Sequence, residues 1–466
     1  MDIRFLSIGI LTFVIHLFSP GINGQLKIPV YHAGIFSQAG WGEQAPFWIL
    51  SNQWSRNSVR PYAIGMEAGV FSPFDSTRNI DYTFGIDLVE RYDIDNDLYI
   101  QEGYLGIKAW FMEFRAGRFK ETIGLQEEKL SMGGTTWSKN ARPMPQLEIS
   151  TSWVDLPLTR GYISFKGQLS HGWFEQDRFV KNVYMHHKNL YVKLGGDLPV
   201  NVSYGLEHFA QWGGESPDPK YGELPSDFSA FKKVFFAENG DSSSVHMNEV
   251  INRLGNHLGS RNYRVDINFD SFKTSVYYQT IFEDNSGRND KISEDGLWGL
   301  YFEMNKKEGL LDAILLEYLN TTWQSGPVHQ IGDSVLGGND SYFLNYIYRT
   351  GWTYEQFTLG TPMITSPILN ENNTINNNRV RAFHGAIMGN AKWFRYKLLL
   401  TYSINKGRYN QSFNPDRNQF SGLVSLSREI KIPVPFSLSL QLGMDQGKMY
   451  GNNYGIMLSL YKKGSF

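Results

Sequence analysis

Apolar and polar residues alternate with a period of two along most of this chain. In the stretch 262–270, Tyr263, Val265, Ile267 and Phe269 fall on one face, and Asn262, Arg264, Asp266 and Asn268 on the other. In 80–88, Ile80, Tyr82, Phe84, Ile86 and Leu88 oppose Asp81, Thr83 and Asp87. In 436–445, Phe436, Leu438, Leu440, Leu442 and Met444 oppose Ser437, Ser439, Gln441 and Asp445. Similar stripes run through 62–70, 200–210, 272–282 and 396–404. Strict alternation marks strands with one apolar and one polar face. Strands of about nine to twelve residues exceed the five or six usual in soluble sheets and match a tilted strand crossing a bilayer.

Two architectures accept such strands. A soluble sandwich hides its apolar faces against each other, whereas a membrane barrel turns them to lipid and its polar faces to a wet lumen. The connections discriminate. Short ones lie around Trp110, at 195–198, 270–271, 305–309, 389–394 and 430–435, and they alternate with longer ones at 122–143, 212–261, 284–296, 323–344, 365–378 and 407–417. Short turns on one rim and long loops on the other describe an outer-membrane barrel. The prediction is an all-β chain folded as a single, monomeric, transmembrane antiparallel barrel of about 18 strands, an even count that keeps both termini on the periplasmic side. The candidate strands number close to twenty, with 47–54 and 144–151 the weakest. The spacing of Phe228, Phe231, Val234 and Phe235, and of Val250, Ile251 and Leu254, predicts short helices over or inside the extracellular mouth.

The two ends carry further signals. Arg4, the apolar run 5–18 and the turn-prone stretch 19–24 form a cleavable export signal, cut near Gly24. Residues 1–24 are therefore expected to be a signal peptide, 25–44 an N-terminal periplasmic segment and 45–466 the barrel, in the outer membrane of a Gram-negative bacterium. The last strand alternates Tyr454, Ile456, Leu458 and Leu460 and stops on Phe466 in the same phase. Such an ending is an assembly signal, read by the barrel-assembly machinery; outer-membrane lipid is the other implied partner.

Composition narrows function. Lys and Arg total 44 against 46 Asp and Glu, a balance without the basic excess that a nucleic-acid partner requires. Cys is absent, which excludes disulfides and thiolate metal sites. Aromatic residues make up 15% of the chain although its mean hydropathy is −0.35, consistent with wide surfaces that are half apolar and half wet.

Catalytic patterns are weak. G-x-S-x-G, the phosphate-binding loop and H-E-x-x-H do not occur. His186 and His187 are adjacent, and so face opposite sides of a strand. Asp93, Asp95 and Asp97 begin like a calcium loop, but Leu98 and Tyr104 stand where Gly and Glu are needed. His171, His208 and His384 have no evident serine partner. The reading is a non-enzymatic protein with no cofactor and no metal. The long loops instead carry Trp137, Trp153, Trp212, Trp323, Tyr221 and Tyr342 among amides, carboxylates and guanidinium groups. Sugar rings stack their C–H faces on aromatic planes and hydrogen-bond through hydroxyls, so this mixture fits carbohydrate. Interfacial girdles also use Trp and Tyr. The candidate polysaccharide-binding residues are Trp137, Arg142, Trp212 and Trp323. A porin or solute channel is the alternative function.

The segments PFWILSNQW, AGRFKETIGL, WSKNARPMPQLEIS, HGWFEQDRFVKN, QWGG, INRLGNHLGS, FEDNSGR, DGLWGLYFE, GNDSYFLNYIYRTGWTY, GTP and NNRVRAFHG occur in that order from Ala45 onward. Together they resemble the Wzi family of capsule-assembly outer-membrane proteins, in the form found in Bacteroidetes-type bacteria. The resemblance implies an 18-stranded barrel that binds capsular or exopolysaccharide as a lectin and helps attach it to the cell surface. It assigns no sugar-contacting residue by motif. A periplasmic helical segment of enteric members has no clear counterpart in this chain.

Overall fold

The computed structural model describes residues 27–240, 253–283, 294–307, 309–324, 326, 329–331, 334–336, 340–370, 372–431 and 435–466. The expected signal peptide and the proposed helix around Val250 and Ile251 lie outside them. The chain closes into an antiparallel barrel of 18 strands: β1 Val30–Trp41, β2 Ala63–Ser72, β3 Ile80–Tyr92, β4 Asn96–Ala109, β5 Met112–Arg118, β6 Gln146–Thr151 continued by Val154–Asp155, β7 Ile163–Trp173, β8 Tyr184–Leu194, β9 Val200–Trp212, β10 Asn256–Asn268, β11 Phe272–Gln279, β12 Gly296–Met304, β13 Ala313–Asn320, β14 Val380–Ala391, β15 Phe394–Arg408, β16 Gln411–Ile430, β17 Phe436–Gly447 and β18 Asn453–Ser465. Each strand pairs with its sequence neighbours, and β1 pairs with β18 from Val30↔Ser465 to Trp41↔Tyr454.

That seam corrects the expected periplasmic segment at 25–44. Residues 30–41 are the first strand of the barrel, disguised because small residues dilute its alternation. Ala33, Ser37 and Ala39 face outward with Ile35 and Trp41, while His32, Gly34, Phe36 and Gln38 face inward. Gly34 makes room for a ring on the closing strand, since a Cβ there would lie 2.3 Å from the Tyr461 ring. The candidate strand at 47–54 is also corrected. It holds a one-turn helix, α1 Phe47–Leu50, wholly buried inside the barrel. By contrast, 144–151 does supply β6. The two expected loops 323–344 and 365–378 merge into one connection, 321–379, and 407–417 is the tip of the β15–β16 hairpin.

The outer wall is apolar and has an aromatic row. Tyr204, Tyr263, Tyr278, Trp298, Tyr318, Phe383, Tyr402 and Phe420 are direct cross-strand partners from β9 to β16. Because the strands of such a barrel tilt, this row climbs across the outer wall and puts rings on the lipid-facing surface.

The lumen is filled rather than open. Three inward-folded connections occupy it: 42–62 with α1, 119–145, and the described part of 321–379. Phe47 N–H donates to Asp445 Oδ2 at 2.9 Å and Trp48 Nε1 to Thr401 Oγ1 at 3.0 Å, fixing α1 to β17 and β15. The 119–145 segment crosses between walls. Gly124 N–H reaches Tyr191 Oη at 3.0 Å on β8, Thr136 Oγ1 reaches Glu207 at 2.7 Å on β9, and Ser131 Oγ reaches Glu317 at 2.6 Å on β13. It also meets the third connection, where Trp352 Nε1 donates to Thr136 O at 2.9 Å and Ser138 N–H to Leu359 O at 2.7 Å. Trp137, Phe209, Phe343, Trp352 and Ile364 make one buried apolar cluster there, and Trp48, Met132, Leu297, Leu315 and Leu319 belong to another.

Candidate extracellular binding site

The extracellular ends of the strands converge on a cleft of about 750 Å³ above the filled lumen. Its walls come from four separated stretches: Arg253, Asn256 and His257 at and just before the start of β10; Glu283 beyond β11; Asp340, Asn345, Tyr346 and Arg349 in the long connection; and Arg408 and Asn410 at the β15–β16 tip. Tyr346 exposes its ring, and Tyr221 lies 6.1 Å from it between ring centres. Arg349 is positioned rather than loose: its guanidinium packs 4.5 Å over the Phe179 ring and donates to Asp218 at 2.6 Å. The Lys220 amide and then Arg349 hold the Asp218 carboxyl below the usual range. Asn345 Nδ2 donates to Asn256 Oδ1 at 3.3 Å, joining two of the four stretches. The result is a concave surface with an aromatic plane, three guanidinium groups, amides and two carboxylates, Glu283 and Asp340. Such a surface can stack on a sugar face and hydrogen-bond its hydroxyls or acidic groups.

The four residues singled out from sequence do not share this surface. Trp137 is buried in the lumen, nearly parallel to Phe209 at 5.6 Å and to His187 at 6.5 Å. Arg142 lies 3.7 Å over the Tyr99 ring and pairs with Glu355 at 2.8 Å, also inside. Trp212 is buried on the outer wall against Tyr184 and Phe231. These three are therefore not on an outward rim. Trp323 is half-buried at the extracellular end of β13, where Asp295 accepts from its amide at 2.9 Å. Burial raises the Asp295 carboxyl, and the Trp323, Gln324 and Tyr342 donors oppose that rise. Trp153 lies at the periplasmic end, beneath Lys193, and Tyr342 is buried. Phe466 is exposed, 5.2 Å from the Tyr31 ring, and its N–H donates to Pro29 O at 3.2 Å.

The histidines also resolve. His186 faces outward and His187 inward, as adjacency requires. His384 is in the lumen, bonded to Thr401 and to Leu130 O. Asp93 and Asp97 bond Ser58 and Arg91 in a tight extracellular turn.

The family model for the capsule assembly protein Wzi matches residues 51–365, more than half of the chain. The chain belongs to this family. Among solved structures it is similar to Wzi of Escherichia coli, described as an outer-membrane, carbohydrate-binding β-barrel involved in group 1 capsule assembly; the TM-score is 0.60 at 13% identity, covering 94% of this chain and 85% of that one. It is also similar to OccK5 of Pseudomonas aeruginosa, with TM-score 0.51 at 7% identity, covering 94% and 98%. At these identities the likenesses establish the barrel fold alone. No curated protein matches the sequence. Membership of the Wzi family agrees with the resemblance read from the ordered segments, and the 18-strand closure agrees with the expected fold.

Proposed function

We propose that this Wzi-family barrel binds capsular or exopolysaccharide in the extracellular cleft and holds it at the cell surface. The observation that carries the reading is the position of that cleft: a polar, aromatic-edged concavity on the outward rim of a barrel whose lumen is occupied. Tyr346 supplies the stacking plane, and Arg253, Arg349 and Arg408 supply donors suited to hydroxyls and carboxylates. Similarity to a carbohydrate-binding Wzi barrel supports the same reading. Trp323, on the same side of the membrane, is the one sequence-chosen residue that remains a candidate contact.

The test is the Tyr346→Ala, Arg349→Ala variant, compared with wild type at equal levels of folded barrel. Losing the ring alone is expected to cost on the order of 1 kcal/mol per engaged repeat, and many repeats engaged together magnify it. Polysaccharide should move from the cell-attached to the released fraction, and the purified variant should lose signal on a glycan array. Unchanged attachment and an unchanged array would refute the cleft as the site.

A further inference from the structure

The outer wall carries a polar patch where lipid-facing residues are expected. In phase with the exposed Leu190 of β8 and the exposed Leu206, Tyr204 and Val202 of β9 stand His186 and Lys188, then His208 and Trp212. His171 of β7 and His257 of β10 continue the patch, with His208 Nε2 2.8 Å from His257 Nδ1. These groups do not face the surroundings, because a helix covers them from outside. This helix, α2 Phe228–Phe236, corrects the expectation that loop helices lie over or in the mouth. Phe231 packs on His171, His186 and Trp212; Phe235 packs on His186; and Lys188 Nζ donates to Phe235 O. Asp227 caps the first turn, accepting from Ala230 N–H at 2.8 Å, and Ala237 ends the helix in the left-handed region at φ 54°.

Among the described residues, no other element packs on the opposite face of α2. Phe228, Lys232 and Phe236 follow at i, i+4 and i+8, and Phe228 and Phe236 are 74% and 66% exposed. Lys232 Nζ lies 5.5 Å over the Phe228 ring. We propose that this stripe is a lateral membrane contact: α2 beds in the outer leaflet with both rings among acyl chains and the Lys232 ammonium at the headgroup phosphates. Two observations select lipid as the occupant. The wall residues that α2 packs on, His186 and Lys188 of β8, stand in phase with the lipid-facing Leu190 of the same strand. The stripe's one cation stands between two rings, the arrangement by which lysine keeps its charge at an anionic boundary while its neighbours stay in hydrocarbon. The helix thus replaces a polar stretch of wall, which hydrocarbon would disfavour, with an apolar one.

The chain has no Cys, so a single introduced thiol reports one place. Nitroxide-labelled Phe228→Cys and Phe236→Cys, folded into phosphatidylcholine vesicles containing phosphatidate, are compared with Leu190→Cys as the lipid reference and Glu223→Cys as the water reference. Relaxation by oxygen relative to a water-soluble nickel chelate is the readout. At both helix positions the ratio should lie near that of Leu190→Cys and several-fold above that of Glu223→Cys. In Lys232→Ala, omitting phosphatidate should no longer alter the ratio at Phe236→Cys. Ratios equal to the water reference would overturn the proposal. Spin–spin broadening between labels would overturn it in favour of a second copy of the chain.

Discussion

Segment 119–145, one of the three that fill the lumen, is bonded to buried carboxyl groups on distant strands, Glu317 and Glu207 among them. Glu317 of β13 accepts from Ser131 Oγ at 2.6 Å, Tyr277 Oη at 2.5 Å and Met132 N–H at 2.7 Å. Glu207 of β9 accepts from Tyr191 Oη at 2.6 Å, Thr136 Oγ1 at 2.7 Å and Asn262 Nδ2 at 2.8 Å. Both side chains are buried. Replacing either by Leu removes three bonds worth about 1.5 kcal/mol each, and Glu317→Leu also strands the Met132 amide, whereas hydroxyls can turn to new acceptors. Each single change should therefore cost about 3–5 kcal/mol. Both carboxyls grip the same 119–145 segment within six residues, so the two changes are coupled and the double variant should depart from the sum of the singles.

The expected behaviour separates stability from closure. In planar bilayers the wild type should pass little current. Each single variant should unfold earlier in a heat-modifiability series yet remain closed, because the other carboxyl and the Trp352–Thr136 bond still hold the segment. The double variant should show long-lived open levels. Large steady currents from wild type would refute a closed lumen and favour a channel. A double variant with wild-type thermal behaviour and no new conductance would refute the view that these two carboxyls hold the segment.

Deleting Phe466 should lower the amount of barrel assembled in the outer membrane while the folded fraction keeps its melting behaviour, since an exposed ring whose aromatic contact among the described residues is Tyr31 is worth on the order of 1 kcal/mol; unchanged assembly in a pulse-chase would refute its role as an assembly signal. Glu121 belongs to the lumen segment 119–145, outside the strands, and its carboxyl is pushed up to about 8, first by burial and then by Glu148. A folded-state pKa above the unfolded one, near 4.5, means that stability falls as pH rises from about 4.5 to about 8. Glu121→Gln should flatten that fall in a heat-modifiability series, and parallel profiles for variant and wild type would count against it.

Which parts of this were legible in sequence follows from where each residue has water or lipid on one side only. Strands such as β10 and β17 have lipid outside and polar groups inside, and their period of two reads directly. β12 and β13 do not alternate cleanly, because Leu297, Leu315 and Leu319 point into the lumen against an apolar filling. β1 failed for the reverse reason: its outward face is built largely of Ala and Ser, and its inward Phe36 packs under Arg56. A long loop rich in Trp reads the same whether it rises over the rim or folds inward, so the sequence does not reveal that Trp137 and Arg142 lie inside the barrel. Trp212 did carry a usable signal, since it shares the phase of Tyr204 and Leu206 and so had to lie on the outer wall. The cleft was out of reach, because positions 253, 349 and 408 meet only after closure.

The same closure connects the cleft to the rest of the barrel. Tyr346 and Arg349 sit on the connection whose flanking residues hold the lumen: Asn378 Nδ2 donates to Tyr342 O at 3.0 Å, Asn377 Nδ2 to Asn405 Oδ1 at 2.9 Å, and Arg178 to Gly351 O at 3.1 Å. A polymer bound at the proposed site would pull outward on this connection. That load would pass to β15 through Asn405, to the 174–183 connection through Arg178, and to the 119–145 segment through Trp352. A mobile surface loop would yield to that pull, whereas a connection bonded across the lumen spreads it over the whole wall. Filling the lumen thus makes mechanical sense for a barrel that works at its rim, and it explains why side chains that a channel would leave facing water are buried and bonded instead.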